Sequence, residues 1–211
     1  MLLDHDKICR LGVGWLKRPA SRQGPGCQAA FSEARGGWNG EIVDAIGFRA
    51  GLHDDCSVVL EAKTSRADFF ADLHKPHRQT PALGMGVYRY YIAPLDLLKM
   101  TDLPPGWGWI EVLPSGTLIV RCGHVLLRRG DPDIWRHARA IEQEWVLLTR
   151  VMGRIGDVDQ LHRELKKIRN ERDRLAKSCD RYAEQERQRI LQAVAGQADP
   201  GKARPKSRSI E

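Results

Sequence analysis

Apolar and polar positions in the first 125 residues mostly alternate in short runs, and from residue 133 onward apolar residues recur at three- and four-residue steps. The chain therefore predicts an α/β region followed by helices. Residues 3–18 place Leu3, Ile8, Leu11, Trp15 and Leu16 near one face of a helix, which Gly12 and Gly14 weaken. The turn-rich stretch 18–26 leads to a strand over 27–34, and a loop at 35–40 leads to a second over 41–48. In that strand Ile42, Asp44, Ile46 and Phe48 share one face and Val43 and Ala45 the other. Both faces are mostly apolar, as in a central strand. A turn at 51–55 precedes a third strand over 56–63. Thr64 or Ser65 then caps a helix with Phe69, Phe70 and Leu73 on its apolar side. Ser65 and Asp68 approximate a capping box, and Pro76 ends the helix near His74 or Lys75. A strand over 87–94 and a hairpin of 108–113 with 117–122 complete the α/β part.

The later pattern starts at Asp133, with Ile134, Ala138, Ile141, Trp145, Leu148 and Met152 forming an apolar stripe that should dock on something. Gly153 and Gly156 interrupt it, and Asp157 caps a following helix. Leu161, Leu165, Ile168, Leu175, Cys179 and Tyr182 there have heptad-like spacing, interrupted at Arg172 and too broken for an assured coiled coil. The organisation read from the chain is an α/β domain over 1–130, a helical extension over 131–195 and a disordered basic tail over 196–211.

Composition adds a partner class and removes several chemistries. A net charge of +7 favours a polyanionic partner without specifying a fold. Cys9, Cys27, Cys56, Cys122 and Cys179 are widely spaced with no C-x-x-C, which argues against a disulfide framework or a zinc motif and for thiols in a reducing cytoplasm. The seven histidines form no H-E-x-x-H pair. No apolar stretch has the length of a membrane span, so no membrane partner is expected.

The candidate chemistry lies in two neighbouring strands. Glu61 and Lys63 share a face at the end of one, and Asp44 lies in the strand before it, positioned to face them if the strands pair antiparallel. Two carboxylates meeting at one point suit a hard cation, magnesium or manganese. A nearby lysine can then orient water or steady charge on a phosphate. An isolated E-x-K more often forms a plain ion pair. Two buried-looking strands and a helix with a basic end argue for a site, because unpaired buried charge is costly. His74, Lys75, His77 and Arg78, with Arg89, form a basic patch beyond it where a phosphate backbone could lie, with a plain solvated surface as the alternative. Asp68 and Asp72, four apart on one helix face, could supplement the site but read more simply as a solvated face or as ties to Arg66 and Lys75.

Asp44 followed by Glu61-Ala62-Lys63 resembles the paired motifs of the PD-(D/E)XK nuclease superfamily, and the order helix, three strands, helix, strand is similar to that superfamily's core. The run Glu61-Ala62-Lys63-Thr64-Ser65 into Ala67-Asp68-Phe69-Phe70-Ala71-Asp72 is similar to the E-x-K-[ST]-S and A-D-F-x-A-D-x-K pattern of the MmcB-like DNA repair group and related phage-borne proteins, with Lys75 one place late. Val43 stands where many members have proline. The resemblance covers roughly residues 1–125 and leaves the C-terminal helices unexplained. It implies a restriction-endonuclease-like mixed sheet flanked by helices and a metal-dependent nuclease acting on DNA in repair or phage DNA metabolism. The alternative it leaves is an inactive nucleic-acid-binding or protein-interaction module on the same fold. Under the resemblance Asp44, Glu61 and Lys63 are catalytic. Asp44, Glu61 and the Ala62 carbonyl hold Mg2+ or Mn2+, with Glu33 as an extra acid for which Glu41 competes. Ser65, Lys75, Arg78 and Arg89 meet DNA. A homodimer through the C-terminal helices is the further partner expected.

Overall fold

The computed structural model describes residues 3–36, 40–51, 56–127 and 132–197. The middle of the loop at 35–40, most of the turn at 51–55 and the tail beyond 197 lie outside the described residues. The chain divides into two compact units, residues 1–154 and 155–211.

The first unit begins with helix α1 (His5–Leu16), whose N-cap Asp4 accepts a hydrogen bond from the Lys7 amide at 2.8 Å. Strands β1 (Ala29–Arg35), β2 (Ile42–Arg49) and β3 (Cys56–Ala62) follow as an antiparallel meander. Helices α2 (Arg66–Leu73) and α3 (Pro76–Gln79) carry the chain over to β4 (Tyr88–Pro94), which lies parallel to β3. Next come β5 (Trp107–Val112), parallel to β4, and β6 (Leu118–Cys122), antiparallel to β5. The result is one six-stranded mixed sheet in the order β1-β2-β3-β4-β5-β6.

The sheet's two faces differ. On one, Ile8, Cys9, Trp15 and Leu16 of α1 meet Ala45, Val58, Leu60, Ala62, Tyr90 and Ile92 in a continuous apolar core. Gly12, which weakens helix propensity, lies where α1 packs against the sheet: a Cβ there would sit 2.8 Å from Leu60 Cδ1. The other face carries two smaller apolar clusters. Phe69 with Tyr91, Ala93, Trp107 and Trp109 forms one, and Val43, Ile46, Val59 and Met85 with Leu147 forms the other.

The strand alternation predicted for 42–48 fails at Asp44. Val43 and Ile46 lie in one cluster, although an unbroken strand would put them on opposite faces, while Asp44 contacts α1. Across from it on β1, Glu33 has a left-handed φ of 50°, and the β1–β2 pairing passes from Ser32–Ala45 to Ala34–Val43 without a Glu33–Asp44 pair.

Helix α4 (Ile141–Ile155) starts eight residues after the predicted Asp133. The preceding segment is used for bonding instead: the His137 amide donates to the Val87 carbonyl at 2.8 Å and the Ala140 amide to the Gly84 carbonyl at 2.9 Å. Because Leu147 of α4 is buried with Val43 and Val59, the sheet unit extends to residue 154, past the boundary at 130 read from the chain. Gly153 stays helical, and Gly156, at φ 69°, is the break.

The second unit is helix α5 (Val158–Gln197), capped by Asp157, which accepts from the Gln160 amide at 3.0 Å. Its Leu161, Leu165, Ile168, Leu175 and Tyr182 are exposed. Among the described residues, no helix is long and apolar enough to cross a membrane.

Candidate functional site

Glu61 and Lys63 stand at the C-terminal end of β3, where the parallel crossover to β4 begins. Ser65 turns the chain into α2: its Oγ accepts the Asp68 amide at 3.1 Å. Tyr91 on β4 donates to Asp72 Oδ2 at 3.0 Å, fixing α2 over the strand ends. Pro76 starts α3, which returns Arg78 beneath α2.

These elements assemble a buried ion network. Arg78, with a side chain only 3% exposed, pairs with Glu41, with Glu61 at 2.9 Å and with Asp72 at 2.8 Å, and its guanidinium lies 4.8 Å from the Trp107 ring centre. Lys63 Nζ lies 3.3 Å from Asp72 and 3.6 Å from Glu61. Glu41 also accepts the Met85 amide at 2.7 Å and has His77 at 3.3 Å. The network joins the two apolar clusters of its face, reaching one through Tyr91 and Trp107 and the other through Met85. A cleft lined by Gly40, Glu41, Lys75, His77 and Gln143 opens beside it.

Burial pushes the Glu61 carboxyl up to about 7 against the pull of Arg78 and Lys63, and the charge of Asp44 pushes the same way. Burial also opposes ionisation of Asp72, but Arg78, by charge and hydrogen bond, and Lys63 hold that carboxyl well below the usual range. Burial depresses His77. For Arg78 burial is outweighed by Glu61, Glu41 and Asp72, so its guanidinium stays charged.

Among the described residues, no ion pair joins Asp44 to Lys63. Asp44 Oδ2 accepts the Ala62 amide, between Glu61 and Lys63, at 2.7 Å, and its Oδ1 lies 3.3 Å from His5 Nε2 on α1. The expected meeting of Asp44 with the Glu61–Lys63 pair is thus corrected to a meeting with their backbone, because the break in β2 turns the carboxylate towards α1. Glu33 is exposed on β1, and Glu41 is the acid that joins the network.

The basic patch is corrected as well. Arg89 is 1% exposed, and its guanidinium donates to the carbonyls of Pro81, Gly84, Gly86 and Ala138. Burial lowers its pKa to about 10. It clamps the loop before β4 and cannot meet DNA from there. Arg78 is equally enclosed. Ser65 is exposed as a helix cap, and Lys75, 45% exposed, pairs with Asp72 at 2.7 Å. Of the four residues expected to bind DNA, these two remain accessible.

Sequence reading also missed the buried group in which Ser57 donates to Glu144 at 2.6 Å and Arg139 bonds both. Glu144 lies within the helical pattern, and no local signal links it to a serine 87 residues away.

The donor set suits a hard cation by chemistry, since Asp44, Glu61 and the Ala62 carbonyl all offer oxygen. Glu61 Oε1 is buried and accepts no aligned hydrogen bond among the described residues; Arg78 Nη2 is near it at ion-pair distance only. Glu61 thus keeps acceptor capacity, with Arg78 supplying positive charge in this conformation.

No protein-family model and no curated protein matches the chain. Among solved structures, a protein of unknown function from Silicibacter pomeroyi is similar with a TM-score of 0.47 and 17% identity, over 79% of this chain and 96% of that one.

Proposed function

We propose that the chain is a metal-dependent nuclease that hydrolyses phosphodiester bonds in DNA, built on a restriction-endonuclease-like core. The observation that carries this reading is the Asp44 carboxylate seated on the peptide between Glu61 and Lys63. It brings the acid of one strand to the E-x-K of the next at the mouth of a parallel crossover. The order α1, β1, β2, β3, α2, β4 supports it, being the element order that the motif resemblance implies. Glu61 and the Ala62 carbonyl would hold Mg2+ or Mn2+, with Asp44 fixing the Ala62 peptide, and the ion when bound polarises a phosphate and acidifies water. Lys63 places an ammonium beside Glu61, where it counters charge developing on the phosphate. Lys75 and Ser65 lie on the exposed side and would meet the phosphate backbone. Arg78 has to release Glu61 for the carboxylate to turn to a cation.

Incubating the full chain with single- and double-stranded DNA in Mg2+ and in Mn2+ tests this. Cleavage that falls at least about a hundredfold in both Glu61→Gln and Lys63→Met, with folding retained by circular dichroism, is the expected result. Unchanged cleavage in both variants overturns it.

A second reading is a catalytically silent nucleic-acid-binding or protein-interaction module. It is favoured by the enclosure of Glu61 and Lys63, which are 2% and 3% exposed and ion-paired internally with Asp72 and Arg78. Salt-dependent DNA binding with no cleavage in either metal selects the nucleic-acid-binding form.

A further inference from the structure

We infer that His5, Cys9 and Asp44 form a separate site for a transition metal of the zinc class, on the side of the sheet facing α1. His5 and Cys9 are four residues apart, so they share one face of α1. Asp44 reaches that face because β2 breaks its alternation there. The ligand atoms of all three lie within 4.8 Å of one another.

The spacing fits a tetrahedral ion. With metal–nitrogen and metal–oxygen bonds of about 2.0–2.1 Å and a metal–sulfur bond of about 2.3 Å, tetrahedral edges come to about 3.3 Å from nitrogen to oxygen and about 3.5 Å from nitrogen to sulfur. His5 Nε2 lies 3.3 Å from Asp44 Oδ1, at the tetrahedral edge, and 3.9 Å from Cys9 Sγ, and since all three ligand atoms stay within 4.8 Å of one another, a side-chain movement of about 1 Å completes the set. A second observation is independent of the spacing. The Ala62 amide holds Asp44 Oδ2 at 2.7 Å and so aims Oδ1 at His5, as outer hydrogen bonds do for carboxylate ligands of bound metals.

Imidazole, thiolate and carboxylate together select zinc, cobalt or nickel over magnesium. Three protein ligands leave the fourth position to water, and the His5 side chain, 43% exposed, gives the ion a way in. On binding, Cys9 loses its thiol proton to solvent and its sulfur bonds to the metal. The site shares Asp44 with the proposed nuclease centre but uses the other carboxylate oxygen, and it does not depend on that chemistry.

Cobalt(II) titrated into the full chain, in a Cys179→Ser background that removes the exposed thiol, reads the site directly. The expected result is a thiolate-to-cobalt charge-transfer band in the near ultraviolet that saturates at one metal per chain. Cys9→Ser should abolish the band. His5→Ala, a change at a partly exposed position, should weaken zinc binding at least about tenfold in calorimetry. Glu61→Gln and Lys63→Met should leave the band intact. A chain with no band, or a band that survives Cys9→Ser, overturns the site. The band without DNA cleavage keeps this site and counts against the nuclease; cleavage in magnesium without the band does the reverse.

Discussion

The two faces of the sheet are held by opposite chemistries. Against α1 lies hydrocarbon and aromatic surface, buried without a break from Ile8 to Val120. The other face has its apolar residues split in two, with Glu41, Glu61, Lys63, Asp72 and Arg78 between them. Both faces exclude water, so burial alone does not separate them. They differ in what a deletion leaves behind. A truncated apolar side chain leaves a cavity, whereas a deleted ion leaves its partners charged and unpaired.

Arg78→Met should therefore have the largest effect. Arg78 pairs with three buried carboxylates, and removing it should cost about 3–5 kcal/mol in urea unfolding. A loss below about 1 kcal/mol would show that the acids re-pair or take protons at little cost, and would erase the contrast between faces. Leu60→Ala on the apolar face should cost about 2–4 kcal/mol, with the same loss at pH 5 and pH 8, since no ionisable partner is disturbed. A marked pH dependence of that loss would tie the two faces together.

Acid titration should sharpen the contrast. Burial raises the Glu61 carboxyl from 4.5 to about 7, so the native state holds that proton more tightly than the unfolded chain. The stability this gives is complete below about pH 4.5 and is lost as pH rises through about 7, by an amount on the order of 3 kcal/mol. Asp72 runs the other way. Its lowered pKa gives stability above 3.8 that is lost as pH falls through the folded value. In Glu61→Gln the decline between pH 4.5 and 7 should flatten while the acid limb remains. An unaltered decline in the variant would assign it to another group.

Much of this architecture was legible in the chain. The six strands, α1 and the Ser65 cap follow from period, turn residues and local hydrogen bonding, all short-range signals. The site was half legible. Glu61-Ala62-Lys63 marked the right strand end, but Asp44 was assigned its face by an alternation that Glu33's left-handed backbone interrupts. Arg78 and Arg89 read as surface charge because a local pattern does not show what covers a strand. A sharper reading was open for Arg89. It stands between Tyr88 and Tyr90 in a strand apolar on both sides, as expected in a central strand where any arginine is enclosed. His5 and Cys9 share a helix face in the sequence, but their link to Asp44 depends on packing across 35 or more residues.

The smallest effect expected is at Lys75, and it tests where the buried network ends. Lys75 and Arg78 both pair with Asp72, at 2.7 and 2.8 Å, so the distances alone predict similar losses. Solvent separates them: the Lys75 side chain is 45% exposed and that of Arg78 is 3%. Water and salt screen the outer pair, and the lysine regains freedom when released, so Lys75→Ala should cost less than about 1 kcal/mol and less still at high salt. A loss approaching that of Arg78→Met would extend the network to the surface and break the comparison. The same variant also reads the DNA contact. If Lys75 meets a phosphate in the complex, its removal should lower the salt dependence of binding by about one ion while the stability of the fold barely moves.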